Sequence, residues 1–220
     1  MMPERAAGLR VRVKVCGINS DAAFDAALAA GADWIGFVFF PPSPRFVTPA
    51  RAAELSARRT GGPPRVGLFV DPTDQAIEAA LAVLPLDILQ LYAPSTRAAA
   101  VRQRFGRKVW RAVGVGGRED LPHDGAAADA LLIEAKPPAG AMRPGGNARR
   151  FDWSVLAGWR APAPWLLAGG LDAGNVAEAI ALTGATAVDV SSGVESSPGV
   201  KDPALIRAFV AAARGSAPGG

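Results

Sequence analysis

The stretch VRVKVCGINSDAAFDAALAAG, residues 11–31, holds one complete folding unit. Its first eight residues alternate β-branched with other side chains, as a strand does. Ser20 and Asp21 then stand where a helix begins, and apolar residues at helical spacing run to a closing glycine. The same grammar recurs along the chain. It predicts strands at 11–18, 33–40, 65–71, 87–92, 108–115, 130–136, 165–171 and 187–193. Helical candidates fill the gaps at 20–31, 49–59, 74–84, 96–105, 151–159 and 172–184, with a weaker one at 121–129. A last helix is expected over 202–213, with Asp202 as N-cap and Pro203 at its first position.

Eight strand–helix units about 25 residues apart indicate a parallel sheet. In 220 residues they predict an α/β fold, a single (β/α)8 TIM barrel over 1–220 with an ordered core of about 11–213. A doubly wound open sheet is the alternative. It needs fewer strands and a glycine-rich turn after the first strand, and CGINSD is not one. The tail RGSAPGG is expected to fray.

Composition narrows the function classes. One cysteine excludes a disulfide framework and a cysteine-rich metal site. No apolar run reaches the roughly 18–20 residues that span a bilayer. MMPERAAGLR lacks the hydrophobic stretch of a secretory signal, so a cytoplasmic location with no membrane partner is expected. The net charge of +4 suits a small phosphorylated ligand. The basic stretches RQRFGRK and NARRF are short and isolated, so no nucleic-acid partner is expected.

In such a barrel, chemistry sits at the C-terminal strand ends. Strand alternation puts Lys14 and Cys16 on the inward face, with Cys16 last before the turn. A thiol acts as a base only when ionised, which nearby positive charge favours. The other reading is a small buried cysteine. On the sixth strand Glu134 shares parity with Leu132, placing a carboxyl at the top, where burial would make it a general acid. A lysine-paired structural glutamate is the alternative. Arg45 lies in PPSPR, a loop stiffened by prolines, and its guanidinium suits a carboxylate or phosphate. After strands seven and eight, Gly169, Gly170, Ser192 and Gly193 can present backbone N–H groups to a phosphate, with Ser191 adding a hydroxyl. His123, the only histidine, falls in a polar loop, so neither a histidine-based triad nor a zinc site is expected. The Pro/Gly loop 136–150 is long enough to be functional or disordered.

The segments KVCGI, GFVFFPPSPRFV, VGLFVD, LQL, KPP…RPGG…FDW, LAGGLDAGNVAEAI and VDVSSGVESSPGVKD resemble, together and in order, the phosphoribosylanthranilate isomerase family. The resemblance spans residue 11 to about 210 and is far more specific than any one motif. It implies an Amadori rearrangement of N-(5′-phosphoribosyl)anthranilate to the aminoketose, a step toward tryptophan, with no cofactor and no metal. It implies that Cys16 is the general base. Arg45 would bind the anthranilate carboxylate, with Gln90 and Tyr92 of LQLY beside the substrate, and Asp189 of DVSSG would lie near the sugar. The phosphate would sit at Gly169, Gly170, Ser192 and Gly193. The family's general acid is an aspartate, and here Glu134 stands in its place. Tyr92 replaces a histidine, and Ala93 and Ala148 replace glycines. The expected mechanism has Lys14 holding Cys16 as a thiolate while neutral Glu134 opens the sugar ring. Two alternatives remain: an isomerase for a related phosphosugar, or a phosphate-ligand-binding barrel with reduced turnover. Monomer and homodimer are both compatible with the sequence.

Overall fold

The structure, a computed structural model, describes residues 10–125, 128–138, 140, 145 and 150–215. Eight parallel strands close in chain order into a barrel. They are β1 (Arg12–Cys16), β2 (Trp34–Val38), β3 (Arg65–Val70), β4 (Ile88–Tyr92), β5 (Lys108–Val115), β6 (Ala130–Ala135), β7 (Trp165–Leu167) and β8 (Ala187–Val190). Closure pairs β1 with β8 and sets Lys14 beside Asp189. All eight predicted strands are present, each near its predicted position.

Six α-helices form among the described residues: α1 (Asp21–Ala29), α2 (Pro49–Ala57), α3 (Asp74–Leu81), α4 (Ser95–Phe105), α5 (Val176–Thr183) and α6 (Pro203–Arg214). Ser20, Thr48, Thr73 and Asp202 cap four of them with side-chain acceptors. The helix expected over 151–159 is instead a single 3-10 turn, Trp153–Leu156. Asp152 starts it, Trp153 and Leu156 are buried, and Gly158 ends it at φ 69°. The weak candidate at 121–129 forms no α-helix among its described residues; residues 126 and 127 lie outside them. A small hairpin, β9 (Glu195–Ser197) and β10 (Val200–Lys201), follows β8 and was not anticipated.

Outward side chains of the strands pack on the helices in one large core, with Val13, Val15, Leu89, Leu131 and Val188 fully buried. Inside the barrel the floor is apolar: Trp34, Val66, Ile88, Trp110, Ala130, Leu166 and Ala187 close it. Trp34 meets Trp110 edge to face at 5.1 Å. One device recurs at the strand starts. Asp33, Asp87 and Asp129 each precede a strand and accept the backbone N–H of Val13, Arg65 and Val109 on the neighbouring strand at 2.7–2.8 Å. A shut floor and fixed strand starts leave the C-terminal mouth as the open end.

Candidate active site

Above the floor comes a polar layer. Lys14, Gln90 and Asp189 are buried there, and the Lys14 Nζ donates to Asp189 Oδ1 at 2.8 Å. Higher still, Cys16, Val38 and Leu68 cluster with Phe40, Val70 and Tyr92. These residues form one wall of a cavity of about 810 Å³, its open mouth included. Cys16, Arg45, Tyr92, Glu134, Asp189, Gly169, Gly170 and Ser192 all line it. Eight of the ten site residues picked from sequence therefore meet in one place, including the thiol of the first strand and the carboxyl of the sixth.

The other two sit elsewhere. Gln90, expected beside the substrate, is fully buried and off the cavity wall, which Asp189 of the same polar layer reaches. Among the described residues neither of its amide atoms has a hydrogen-bond partner. Gly193 faces the preceding loop: a Cβ on it would stand 1.9 Å from the Leu171 carbonyl oxygen. Its glycine lets the two loops after β7 and β8 touch backbone to backbone. His123 is exposed and away from the cavity.

Glu134 is buried, and burial pushes its carboxyl up to about 8, with the Asp189 charge adding to the rise. A hydrogen bond with Tyr92 and the charge of Lys14 pull the other way. The carboxyl is thus protonated at neutral pH, and its Oε1 has no partner among the described residues. A buried orphan oxygen on a cavity wall has its hydrogen-bonding capacity in hand for a ligand.

Cys16 departs from the expectation of a resident thiolate. Burial raises the thiol, Lys14 opposes it, and Asp189 adds to the rise, so the net shift is upward. Lys14 divides its charge between Asp189 and Cys16. Burial works against its ammonium, but those two neighbours hold it protonated above the usual lysine value. The lysine next to the lone thiol is therefore foremost the partner of Asp189.

Arg45 also differs from expectation. Its Nε and Nη2 already hold a carboxylate two-pronged, but that carboxylate is Glu195 of the same chain, at 2.7 and 2.9 Å. Lys201 donates to the same Glu195 at 2.7 Å. Burial alone would raise Glu195, yet these two cations hold it down at about 2. Neither Glu195 nor Lys201 was selected from sequence. The turn at Pro198–Gly199 between them was the available signal, because a tight turn folds residues on its two sides together. Asn175 was also missed. It ties the loop after β7 by donating to Gly170 O at 3.0 Å and accepting from Asp172 N at 3.0 Å.

Among the described residues no group of three or more His, Cys, Asp or Glu side chains could hold a metal ion. No helix among them is long and apolar enough to cross a membrane.

The chain that carries this site is similar to known proteins over most of its length. The family model for N-(5′-phosphoribosyl)anthranilate (PRA) isomerase matches residues 13–212. An N-(5′-phosphoribosyl)anthranilate isomerase of Acidiphilium cryptum is 60% identical, over 92% of this chain and 98% of that one. The solved phosphoribosyl anthranilate isomerase of Thermotoga maritima is 33% identical with a TM-score of 0.80, covering 93% of this chain and 99% of that one. Another, solved in complex with reduced 1-(o-carboxyphenylamino)-1-deoxyribulose 5-phosphate, is 32% identical with a TM-score of 0.77 and the same coverage. Sequence, barrel and family model agree over nearly the whole length, and the chain belongs to the N-(5′-phosphoribosyl)anthranilate isomerase family.

Proposed function

We propose that this chain converts N-(5′-phosphoribosyl)anthranilate to 1-(2-carboxyphenylamino)-1-deoxyribulose 5-phosphate, with Glu134 as general acid and Cys16 as general base. The observation that carries the residue roles is the pairing of a carboxyl held at about 8 with the only cysteine on the wall of one cavity. The relative solved with the reduced product supports the substrate.

The substrate's phosphate is held by the loops after β7 and β8, at Gly169, Gly170 and Ser192. Gly193 keeps those loops in contact. Arg45 and Tyr92 receive the anthranilate end, and Asp189 a sugar hydroxyl. Gln90 supports this set from behind the cavity wall. Glu134 gives its proton to the ring oxygen, the C1′–O bond breaks, and the nitrogen lone pair forms the iminium. The working form has already released the Cys16 proton to solvent, and the iminium over the thiolate lowers the cost of holding that charge. The thiolate takes the C2′ proton, the bonding pair moves toward nitrogen, and the resulting enolamine tautomerises to the ketose.

The test is turnover of the aminoaldose by the purified protein and by Cys16→Ser and Glu134→Gln. Each substitution should lower kcat by roughly 10²–10⁴-fold, the usual worth of a positioned acid or base. Cys16→Ser at parental rate would remove the base assignment. A parental protein that binds the reduced product tightly without turnover would replace the isomerase reading with that of a binding barrel.

A further inference from the structure

We infer that Glu195 is a positioning residue that aligns both ends of the cavity at once, Arg45 at one and Ser191–Ser192 at the other. The inference rests on the isomerase reading above and adds a residue to it.

Glu195 is not on the cavity wall, but its partner Arg45 is, and so are Ser191 and Ser192, which its partner Lys201 reaches through Ser191. Its two oxygens take four donors. Oε1 accepts from Arg45 Nε and Lys201 Nζ, both at 2.7 Å. Oε2 accepts from Arg45 Nη2 at 2.9 Å and from the Gly199 backbone N–H at 3.2 Å. Lys201 Nζ continues the chain to Ser191, donating to its carbonyl at 2.9 Å and its hydroxyl at 3.3 Å. The Ser191 hydroxyl donates in turn to the carbonyl of Cys16 at 3.3 Å. One carboxylate thus connects the loop after β2, the loop after β8 and the end of β1.

The side chains of Arg45, Glu195 and Lys201 are only 6%, 4% and 0% exposed. A buried ionic group of this kind adds little net stability over an apolar one of the same size, so stability does not explain it. Orientation does. An arginine on a loop samples many rotamers, and a two-pronged carboxylate fixes the plane of its guanidinium. The hairpin that carries Glu195 is itself locked to the arginine loop. A Cβ on Gly199 would lie 2.4 Å from the Pro44 carbonyl oxygen, and Asn19 Nδ2 donates to the Gly199 carbonyl at 2.8 Å. Removing the charge of Glu195 leaves two buried cations facing each other. Both would have to move, and the cavity wall would move with them.

The experiment measures kcat and KM for the aminoaldose, and binding of two fragments by calorimetry: anthranilate for the Arg45 end and ribose 5-phosphate for the serine end. Glu195→Gln should weaken both fragments roughly tenfold or more, the scale of one charge-assisted hydrogen bond. KM should rise at least as much, with kcat within about threefold of parental, as expected when uniform binding is lost. Lys201→Met keeps the Arg45–Glu195 pair and should weaken ribose 5-phosphate alone. Glu195→Asp keeps the charge and should recover part of both affinities. The inference is overturned if folded Glu195→Gln binds both fragments as the parent does, or if kcat falls while KM holds. Should Glu195→Gln not fold, parental ribose 5-phosphate affinity in Lys201→Met overturns it equally. A parent that binds both fragments but does not turn over removes the isomerase reading while leaving the alignment test readable.

Discussion

Alkalinity should speed this enzyme. The productive form needs Cys16 without its proton and Glu134 with one. Glu134 titrates at about 8, while burial keeps the thiol above its ordinary 9.0. Below pH 8 both groups are protonated and one proton must leave. Most singly deprotonated molecules lose it from the carboxyl, so the thiolate form is at most roughly one-tenth of them, given the gap of a unit or more. Its abundance still tracks that of the whole singly deprotonated population. That population grows about fivefold between pH 7 and 8 for a group titrating near 8. Beyond the thiol's own titration the acid form of Glu134 is gone and the rate falls.

The assay is kcat/KM at limiting substrate in half-unit steps. The useful window lies above pH 7, because a phosphate monoester sheds its second proton near pH 6. The ultraviolet absorbance of the thiolate follows Cys16 directly, since the chain has one cysteine. Tyr92→Phe gives a second reading. Tyr92 holds Glu134 down by hydrogen bonding, so its removal should move the lower bend to higher pH. A kcat/KM that is flat or falling between pH 7 and 8, with thiolate already present at pH 7, would refute the reasoning and reinstate a resident thiolate.

Two other substitutions probe the frame. Gly193→Ala puts a Cβ 1.9 Å from the Leu171 carbonyl oxygen. Overpacking of this kind costs about 1–3 kcal/mol, so thermal denaturation should show a lower Tm, and KM should rise as the phosphate loops part. Lys14→Met leaves Asp189 without its buried cation. The expected loss is about 3–5 kcal/mol in denaturant unfolding, with the Cys16 thiolate appearing only at higher pH than in the parent; an unshifted thiolate titration would show that Lys14 does not act on Cys16.

The strands were legible because parallel strands buried on both faces read as apolar runs, and IGFV and ALLI are such runs. Helix candidates were less secure. FDWSVLAGW has the right apolar spacing, but one 3-10 turn already buries Trp153 and Leu156, and Gly158 stops the chain before a nucleus of several turns forms. At the site, strand alternation turned Cys16 and Glu134 inward, and both line the cavity, as do Tyr92 and Asp189, which the family resemblance pointed to. A resemblance gives identity and not depth: barrel strands are staggered, so Gln90 lies off the cavity wall that Tyr92, two residues on, reaches. Charge state was the least legible. Nothing local to VKVCGI tells that Lys14 would be claimed by a residue 175 positions away, or that Arg45 would find Glu195 150 positions on.

Those two distances have a consequence for how activity and fold are joined. Lys14–Asp189 and Arg45–Glu195 are both buried ion pairs, and each links the first quarter of the chain to its last. A buried charge without its partner is expensive, so Lys14 cannot settle inside β1 until β8 docks against it. The same docking brings the Ser191 hydroxyl to the Cys16 carbonyl and completes the wall on which the thiol stands. The catalytic mouth and the last seam of the barrel are therefore one construction. A partly closed barrel would hold Cys16 and Glu134 on strands one and six with the intervening sheet intact. It would lack the burial and the charge pairing that together set their protonation, so chemistry begins only when the cylinder shuts.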